Sequence, residues 1–312
     1  MKAAQISEYG DASVVHVVEI EKPTRKPGQV LVAVHAASLN PYDTMVRAGY
    51  VKDMIPLELP ATLGGDIAGV VAEVGDDVHN FAVGDKVYGE ANVVAGNSGA
   101  FAEFAATQAD QIAKAPNNVS FAEAASLSLV GVSALQAVTE HIKIAAGQKL
   151  FIHGGAGGIG TIAIQIAKHI GAYVAVTATG EGIQIAKDLG ADEVIDYKTQ
   201  DFTEVIKDYD AAFDTVGGDD FAKMFGVIKE GGVAVTMVAH TDESLAKERH
   251  ITVVHQLTTA TTAKLDALRE LVEDGVVKPN VGKVFPLADS QAAFEARESG
   301  SVQGKIVLNI AE

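Results

Sequence analysis

The run Gly155-Ala156-Gly157-Gly158-Ile159-Gly160 satisfies G-x-G-x-x-G. A lone match to that pattern says little. This one directly follows a short apolar stretch, Lys149-Leu150-Phe151-Ile152-His153, and opens an amphipathic run from Ile159 to Ile170 that stops at Gly171. Between a strand and a helix, the glycines have a purpose. They permit the tight turn and let backbone N–H groups approach a pyrophosphate, while the helix N-terminus offers orphan donors and a favourable dipole. The bland alternative is a glycine-rich turn that binds nothing. The strand–loop–helix context favours a dinucleotide held by Gly155, Ala156, Gly157, Gly158, Ile159 and Gly160.

The choice between NAD and NADP falls to the end of the next strand. An NAD site normally places a carboxylate there, on the ribose 2′-hydroxyl. This chain instead reads Thr177-Ala178-Thr179-Gly180. The hydroxyls of Thr177 and Thr179 would hydrogen-bond a 2′-phosphate without repelling it, so NADPH is the favoured cofactor. Glu181, just beyond, keeps NAD open as the alternative. Lys187 lies one to two turns into the following helix, and Tyr197 could pack against the adenosine ribose. His153, ahead of the loop, reads as packing under it.

These residues need elements to carry them. From residue 121 onward, strand and helix patterns alternate: Tyr173–Thr177, Gly182–Leu189, Val194–Tyr197, Ala211–Val216 and Gly232–Met237. That rhythm predicts right-handed βαβ units and a doubly wound parallel sheet. Residues 1–115 read differently, as short Val- and Ala-rich strands punctuated by turn glycines, as in an antiparallel barrel or sandwich. Ser120 with Glu123 forms a capping-box signature at the change of rhythm. A helix from about Thr262 to Asp274 follows, and strand character returns at Lys283–Pro286 and Lys305–Leu308. The predicted class is therefore α/β, with a discontinuous β-rich domain (1–120 and 260–312) around a Rossmann domain (121–259).

Composition excludes much else. With 312 residues, about two domains are expected. There is no cysteine, which rules out disulfides, thiolate nucleophiles, iron–sulfur clusters and cysteine-ligated zinc, and suits a reducing, cytoplasmic setting. A net charge of −17 disfavours nucleic acid and anionic membrane surfaces as partners. The opening residues reach Glu8 before any apolar core of a signal peptide could form. The uncharged stretch Leu150–Ala167 is too glycine-laden for a membrane helix.

Several further motifs occur in a recognisable order. Asn40-Pro41-Tyr42-Asp43 precedes Gly64-Gly65-Asp66-Ile67-Ala68-Gly69-Val70-Val71, and then come Val83-Gly84-Asp85-Lys86-Val87 and the glycine loop. Over essentially its whole length the chain resembles the medium-chain dehydrogenase/reductase superfamily, most closely its zinc-free quinone oxidoreductase (zeta-crystallin-like) branch. The resemblance implies that the β-rich domain is a GroES-like catalytic domain. Zinc-containing members hold the metal with a Cys in the first motif and a His in the second. Here Asn40 and Gly65 stand in those places, and Asp66 alone cannot bind zinc, which wants about four ligands. Asp66 reads better as a buried acceptor for nearby N–H groups.

Without a Lewis acid, oxidation of a simple alcohol is difficult. A quinone or α,β-unsaturated carbonyl is already electrophilic, and needs only hydride, hydrogen-bond donors and a proton. The resemblance thus implies an NADPH-dependent reductase of quinones or enones, with Asn40, Tyr50 and Tyr42 as catalytic donors. Met45 occupies a position where relatives often carry tyrosine, so the tyrosine match is loose. Arg47 reads either as a neutraliser of charge near the site or as a solvated cation. Analogy adds Ser133, Val216, Gly217, Val238 with Ala239-His240, and Lys305 as cofactor contacts. It also implies a homodimer, paired through the edge strand Ile251–His255. The competing function is a catalytically weak NADPH-binding sensor or interaction protein of the same fold.

Overall fold

The computed structural model describes residues 1–238 and 242–311; Ala239 and His240 lie outside them. The chain divides into two units: Met1–Leu129 with Ala260–Glu273 and Pro279–Glu312, and Val130–Thr259 with Asp274–Lys278.

The first unit is built on strands that pair mostly antiparallel. Among the described residues its larger sheet runs in the order Val281–Pro286, Lys305–Asn309, Gln29–Leu39, Asp66–Val74, Lys86–Glu90, Ile112–Lys114, and Phe104–Gln108 pairs with Gln29–Leu39. The Gln29–Leu39 strand is central because its Val, Ala and Leu side chains are buried on both faces. A smaller sheet joins His16–Glu19, Lys2–Ile6 and Ala61–Thr62. The apolar core of this unit gathers Val32, Ile67, Phe101 and Phe294, all fully buried.

The second unit carries six parallel strands among the described residues. Their order is Glu193–Asp196, Tyr173–Ala178, Lys149–His153, Tyr209–Asp214, Ile228–Thr236, Thr252–His255. In the unit's own chain order this is 3-2-1-4-5-6, the doubly wound arrangement that binds dinucleotides beyond the strands' carboxyl ends. The helices Gly158–Ile170 and Glu181–Asp188 pack on the sheet. Gly171 ends the first of them at φ 95°, its N–H bonded to Ala167 and Lys168 carbonyls.

The division differs from the sequence expectation at two short segments, each for a local reason. Residues 121–129, expected in the second unit, belong to the first. Ser120 and Glu123 cap the Phe121–Ala125 helix reciprocally, Phe121 stacks on His35 with ring centroids 4.4 Å apart, and Leu129 N–H donates to Asp66. Residues 274–278, expected in the first unit, join the second through Gln165. Its amide donates to the Lys278 carbonyl and accepts the Lys278 N–H.

A helix at Pro41–Ala48 was not anticipated, although its signals are local. Asn40 sits at the N-cap, Pro41 in the first turn, and Gly49 at the C-cap with φ 79°.

Candidate active site and cofactor cradle

In the second unit the glycine loop leaves the Lys149–His153 strand with Gly154 at φ 91°. Gly154 N–H donates to Thr177 Oγ1 at 2.9 Å and Gly155 N–H to the Thr177 carbonyl at 2.9 Å. Gly157 is the N-cap of the Gly158–Ile170 helix and is exposed. A side chain cannot be accommodated where the loop folds closest. A Cβ on Gly155 would stand 2.5 Å from Val176 Cβ, and one on Gly160 would stand 2.2 Å from the Gly154 carbonyl oxygen. Ala156 packs against Gly182 of the next helix, where a Cβ would come within 2.6 Å. The first-turn N–H groups of Gly158, Ile159 and Gly160 have no intrahelical acceptor. The loop offers the backbone donors and the close approach that a pyrophosphate needs.

Around it, strand ends supply the rest of the rim. Thr177 is buried and its hydroxyl accepts from Gly154, so it holds the loop rather than lining its open side. Thr179 hydrogen-bonds Asp196, which holds that carboxyl below its usual range. Tyr197 is exposed, its N–H on the Ala178 carbonyl. His153 lies buried beside Thr177, its imidazole pKa lowered by burial. The turn at Val216 and Gly217 is pinned by Asp214, a residue the sequence reading passed over. Its fully buried carboxylate accepts from Val216 N–H and Gly217 N–H through one oxygen and from Thr236 Oγ1 through the other. Val238 stands close to Gly217, where a Cβ would meet it at 2.9 Å. Ser133 Oγ is buried against Thr258 Oγ1 at 2.7 Å, and its carbonyl accepts from Gln256.

In the first unit, Asn40 lies at the centre of a buried polar cluster. Its Oδ1 accepts from Lys305 Nζ at 2.5 Å, and its Nδ2 donates to Asp66 Oδ2 at 2.8 Å. Its backbone N–H donates to Asp43 Oδ2 at 2.7 Å. Asp66 also accepts from Ser38 Oγ and from Leu129 N–H. It is the buried acceptor that its sequence position suggested, with Asn40 as an additional donor. Burial raises the Asp66 carboxyl and lowers the Lys305 ammonium pKa. Burial also pushes Asp43 up to about 7, aided by the Asp66 charge, and Glu90 up to about 7 for the same two reasons.

Lys305 belongs to the same cluster. Expected to touch the cofactor, it is 7% exposed, and its ammonium is committed to the Leu39 carbonyl and Asn40 Oδ1, with Asp66 Oδ2 3.9 Å away. Nothing in the local sequence could have signalled this, because the partners are 265 residues apart. Arg47 is neither near-site neutraliser nor solvated cation. It is 2% exposed and grips Glu298 with both terminal nitrogens while Nε donates to the Gly10 carbonyl. Tyr42, on the same helix, is half-buried, and burial with the charges of Asp43 and Glu90 raises its phenol. Tyr50 follows Gly49 and is 77% exposed, with Met45 also exposed.

Zinc does not fit here. The positions where a Cys and a His would ligate hold Asn40 and Gly65, and the carboxylate of the second motif, Asp66, already carries three hydrogen bonds and a neighbouring ammonium. Among the described residues no group of three or more His, Asp or Glu is placed to hold a metal ion. Nor, among them, is any helix long and apolar enough to cross a membrane.

A parallel 3-2-1-4-5-6 sheet with this loop, joined in one chain to a discontinuous β-rich unit, defines a two-unit nucleotide-dependent oxidoreductase architecture. Residues 26–117 match the alcohol dehydrogenase GroES-like domain family, and residues 189–308 the zinc-binding dehydrogenase family. The chain is 35% identical over 317 residues to the NADPH-dependent alkenal/one oxidoreductase of Arabidopsis thaliana, covering 99% of this chain and 79% of that protein. Its structure superimposes on the quinone oxidoreductase of Coxiella burnetii with a TM-score of 0.92 at 35% identity, covering 100% and 99% of the two chains. The quinone oxidoreductase of Escherichia coli complexed with NADPH gives a TM-score of 0.89 at 27% identity, covering 99% and 100%. The chain belongs to the medium-chain dehydrogenase/reductase superfamily, among its quinone and alkenal oxidoreductases.

Proposed function

We propose that this protein is a zinc-independent, NADPH-dependent reductase of quinones or α,β-unsaturated carbonyls. The observation that carries this reading is the Asn40 carboxamide, held between Lys305 and Asp66 where zinc-containing members have a metal ligand. When bound, NADPH supplies the hydride. Gly158, Ile159 and Gly160 would hold its pyrophosphate by first-turn backbone N–H groups, while Gly155 and Gly157, whose N–H groups bond the Thr177 and Gly154 carbonyls, shape the loop and Thr177 braces it from below. Thr179 and Tyr197 flank the adenosine ribose, and Ser133, Val216, Gly217 and Val238 border the nicotinamide. Asn40 donates a hydrogen bond to the acceptor's carbonyl oxygen as negative charge builds there, which is the term that matters most in such a step. Tyr50 and Tyr42 are the nearby phenols able to hold a proton for that oxygen.

Purified protein should oxidise NADPH with 9,10-phenanthrenequinone or a simple enone, more efficiently than it oxidises NADH. NADPH binding without turnover of either acceptor class would instead favour the sensor reading. A preference for NADH would hand the ribose to Glu181. The assembly we infer is a homodimer paired through the Thr252–His255 strand, which forms one edge of its sheet. Light scattering should give twice the chain mass, and Val254→Pro should give the monomer. The cysteine-free composition and acidic charge suit the cytoplasm, with small molecules rather than nucleic acid or membranes as partners.

A further inference from the structure

The strand order of the first unit places two opposite charges on either side of one amide. Gln29–Leu39 runs between Lys305–Asn309 and Asp66–Val74, antiparallel to both. Its end therefore meets the beginnings of its two neighbours: Leu39 pairs with Ile306, and Ser38 with Asp66. Asn40 is the next residue. Lys305 reaches its Oδ1 from one side and Asp66 receives its Nδ2–H from the other. An amide can rotate to exchange its oxygen and nitrogen. Here the exchange would face N–H against an ammonium and C=O against a carboxylate, in a site where Asn40 is 2% exposed. Only one orientation is compatible with both charges.

We propose that Lys305 is a positioning residue for the reduction, orienting and polarising the Asn40 carboxamide through which it acts on the acceptor. The inference rests on the reductase reading above. Lys305 is fixed independently by the Leu39 carbonyl, at 3.1 Å, so the ammonium is in place before any acceptor arrives. Its hydrogen bond to Oδ1 draws electron density toward oxygen and makes the amide N–H a better donor, as linked hydrogen bonds polarise one another. One Nδ2–H is committed to Asp66. The other is the carboxamide's remaining donor for a developing enolate or phenolate oxygen. Asp66 completes the device by holding the amide plane, and Ser38 and Leu129 in turn hold Asp66.

A double-mutant cycle tests this. Removing a direct oxyanion donor costs about 10²–10³ in rate, so a residue acting through that donor should cost less, about ten- to a hundredfold in kcat. Lys305→Met should show that loss with NADPH affinity, followed by nicotinamide fluorescence, essentially unchanged. In an Asn40→Ala background the same substitution should cost nothing further. An equal loss in both backgrounds, or weakened NADPH binding, overturns the proposal. Should Lys305→Met alone fail to fold because Asp66 is left uncompensated, the pair Lys305→Met and Asp66→Asn removes both charges and serves in the same cycle.

A second readout needs no turnover. The Asn40 side-chain amide signal, identified by its loss in Asn40→Ala, should be shifted downfield and slow to exchange, and should relax toward an ordinary asparagine in Lys305→Met. An amide signal indifferent to Lys305 overturns the proposal even if the enzyme is active. Absence of turnover in the wild type with both acceptor classes would instead overturn the reductase reading, leaving the amide signal to decide the role of Lys305.

Discussion

Asp43 and Arg47 sit four residues apart on one helix and carry opposite burdens. Asp43 has its pKa moved from an ordinary 3.8 to about 7 by burial and by the Asp66 charge, against the pull of the Asn40 N–H hydrogen bond and, less strongly, of Lys305. The folded state therefore holds its proton more tightly than the unfolded chain. Its contribution to stability is complete below about pH 4 and is lost as pH rises through about 7. The melting temperature should fall between pH 5 and pH 8, and Asp43→Asn should flatten part of that slope, with Glu90→Gln removing more. Thermal melts across this range check it, and a wild-type slope unchanged by either substitution would contradict the burial argument. Arg47 shows the other burden, a buried cation whose ion-pair carboxylate, Glu298, is partly exposed. Glu298→Ala strands that cation. Discounted for the solvent reaching Glu298, the cost should be about 2 kcal/mol by denaturant unfolding. Arg47→Lys should not restore it, since one ammonium cannot replace the two-pronged grip.

At the scale of elements, the cradle was legible because its constraints are local. Gly155 and Gly160 exclude a Cβ through neighbours in the loop itself and on the adjoining strand. Gly160→Ala should abolish measurable NADPH binding and lower stability by about 1–3 kcal/mol. Gly226, in the Asp220–Val227 helix, has nothing within 4 Å of a Cβ, so Gly226→Ala should leave binding intact and add about 0.5–1 kcal/mol. Equal effects at the two positions would undermine the steric account. Ser120 with Glu123 was readable for the same reason, and Asn40-Pro41-Tyr42-Asp43 carries an equally local helix signal, a cap, a first-turn proline and an acidic residue at the third position. Thr177 shows the limit. The sequence placed it at the correct strand end, but whether a strand residue points outward or under the loop depends on the pleat.

For the whole molecule, the missing metal ligands lead to a simple expectation. Elemental analysis should find no stoichiometric zinc, and chelators should leave acceptor reduction unchanged; tightly retained zinc would contradict the donor set around Asn40. The cysteine-free composition, the glycine loop and the alternation of strand and helix were enough to determine a Rossmann unit, a β-rich unit and the absence of cysteine–zinc chemistry. Each depends on residue type or on neighbours a few positions away. Only the tertiary structure decided what Lys305 and Arg47 do, and which unit takes residues 121–129 and 274–278. Lys305 meets Asn40 across 265 positions, and Arg47 meets Glu298 across 251. Those meetings are set by strand register and by burial, which reward a buried charge only when its partner arrives from elsewhere in the chain.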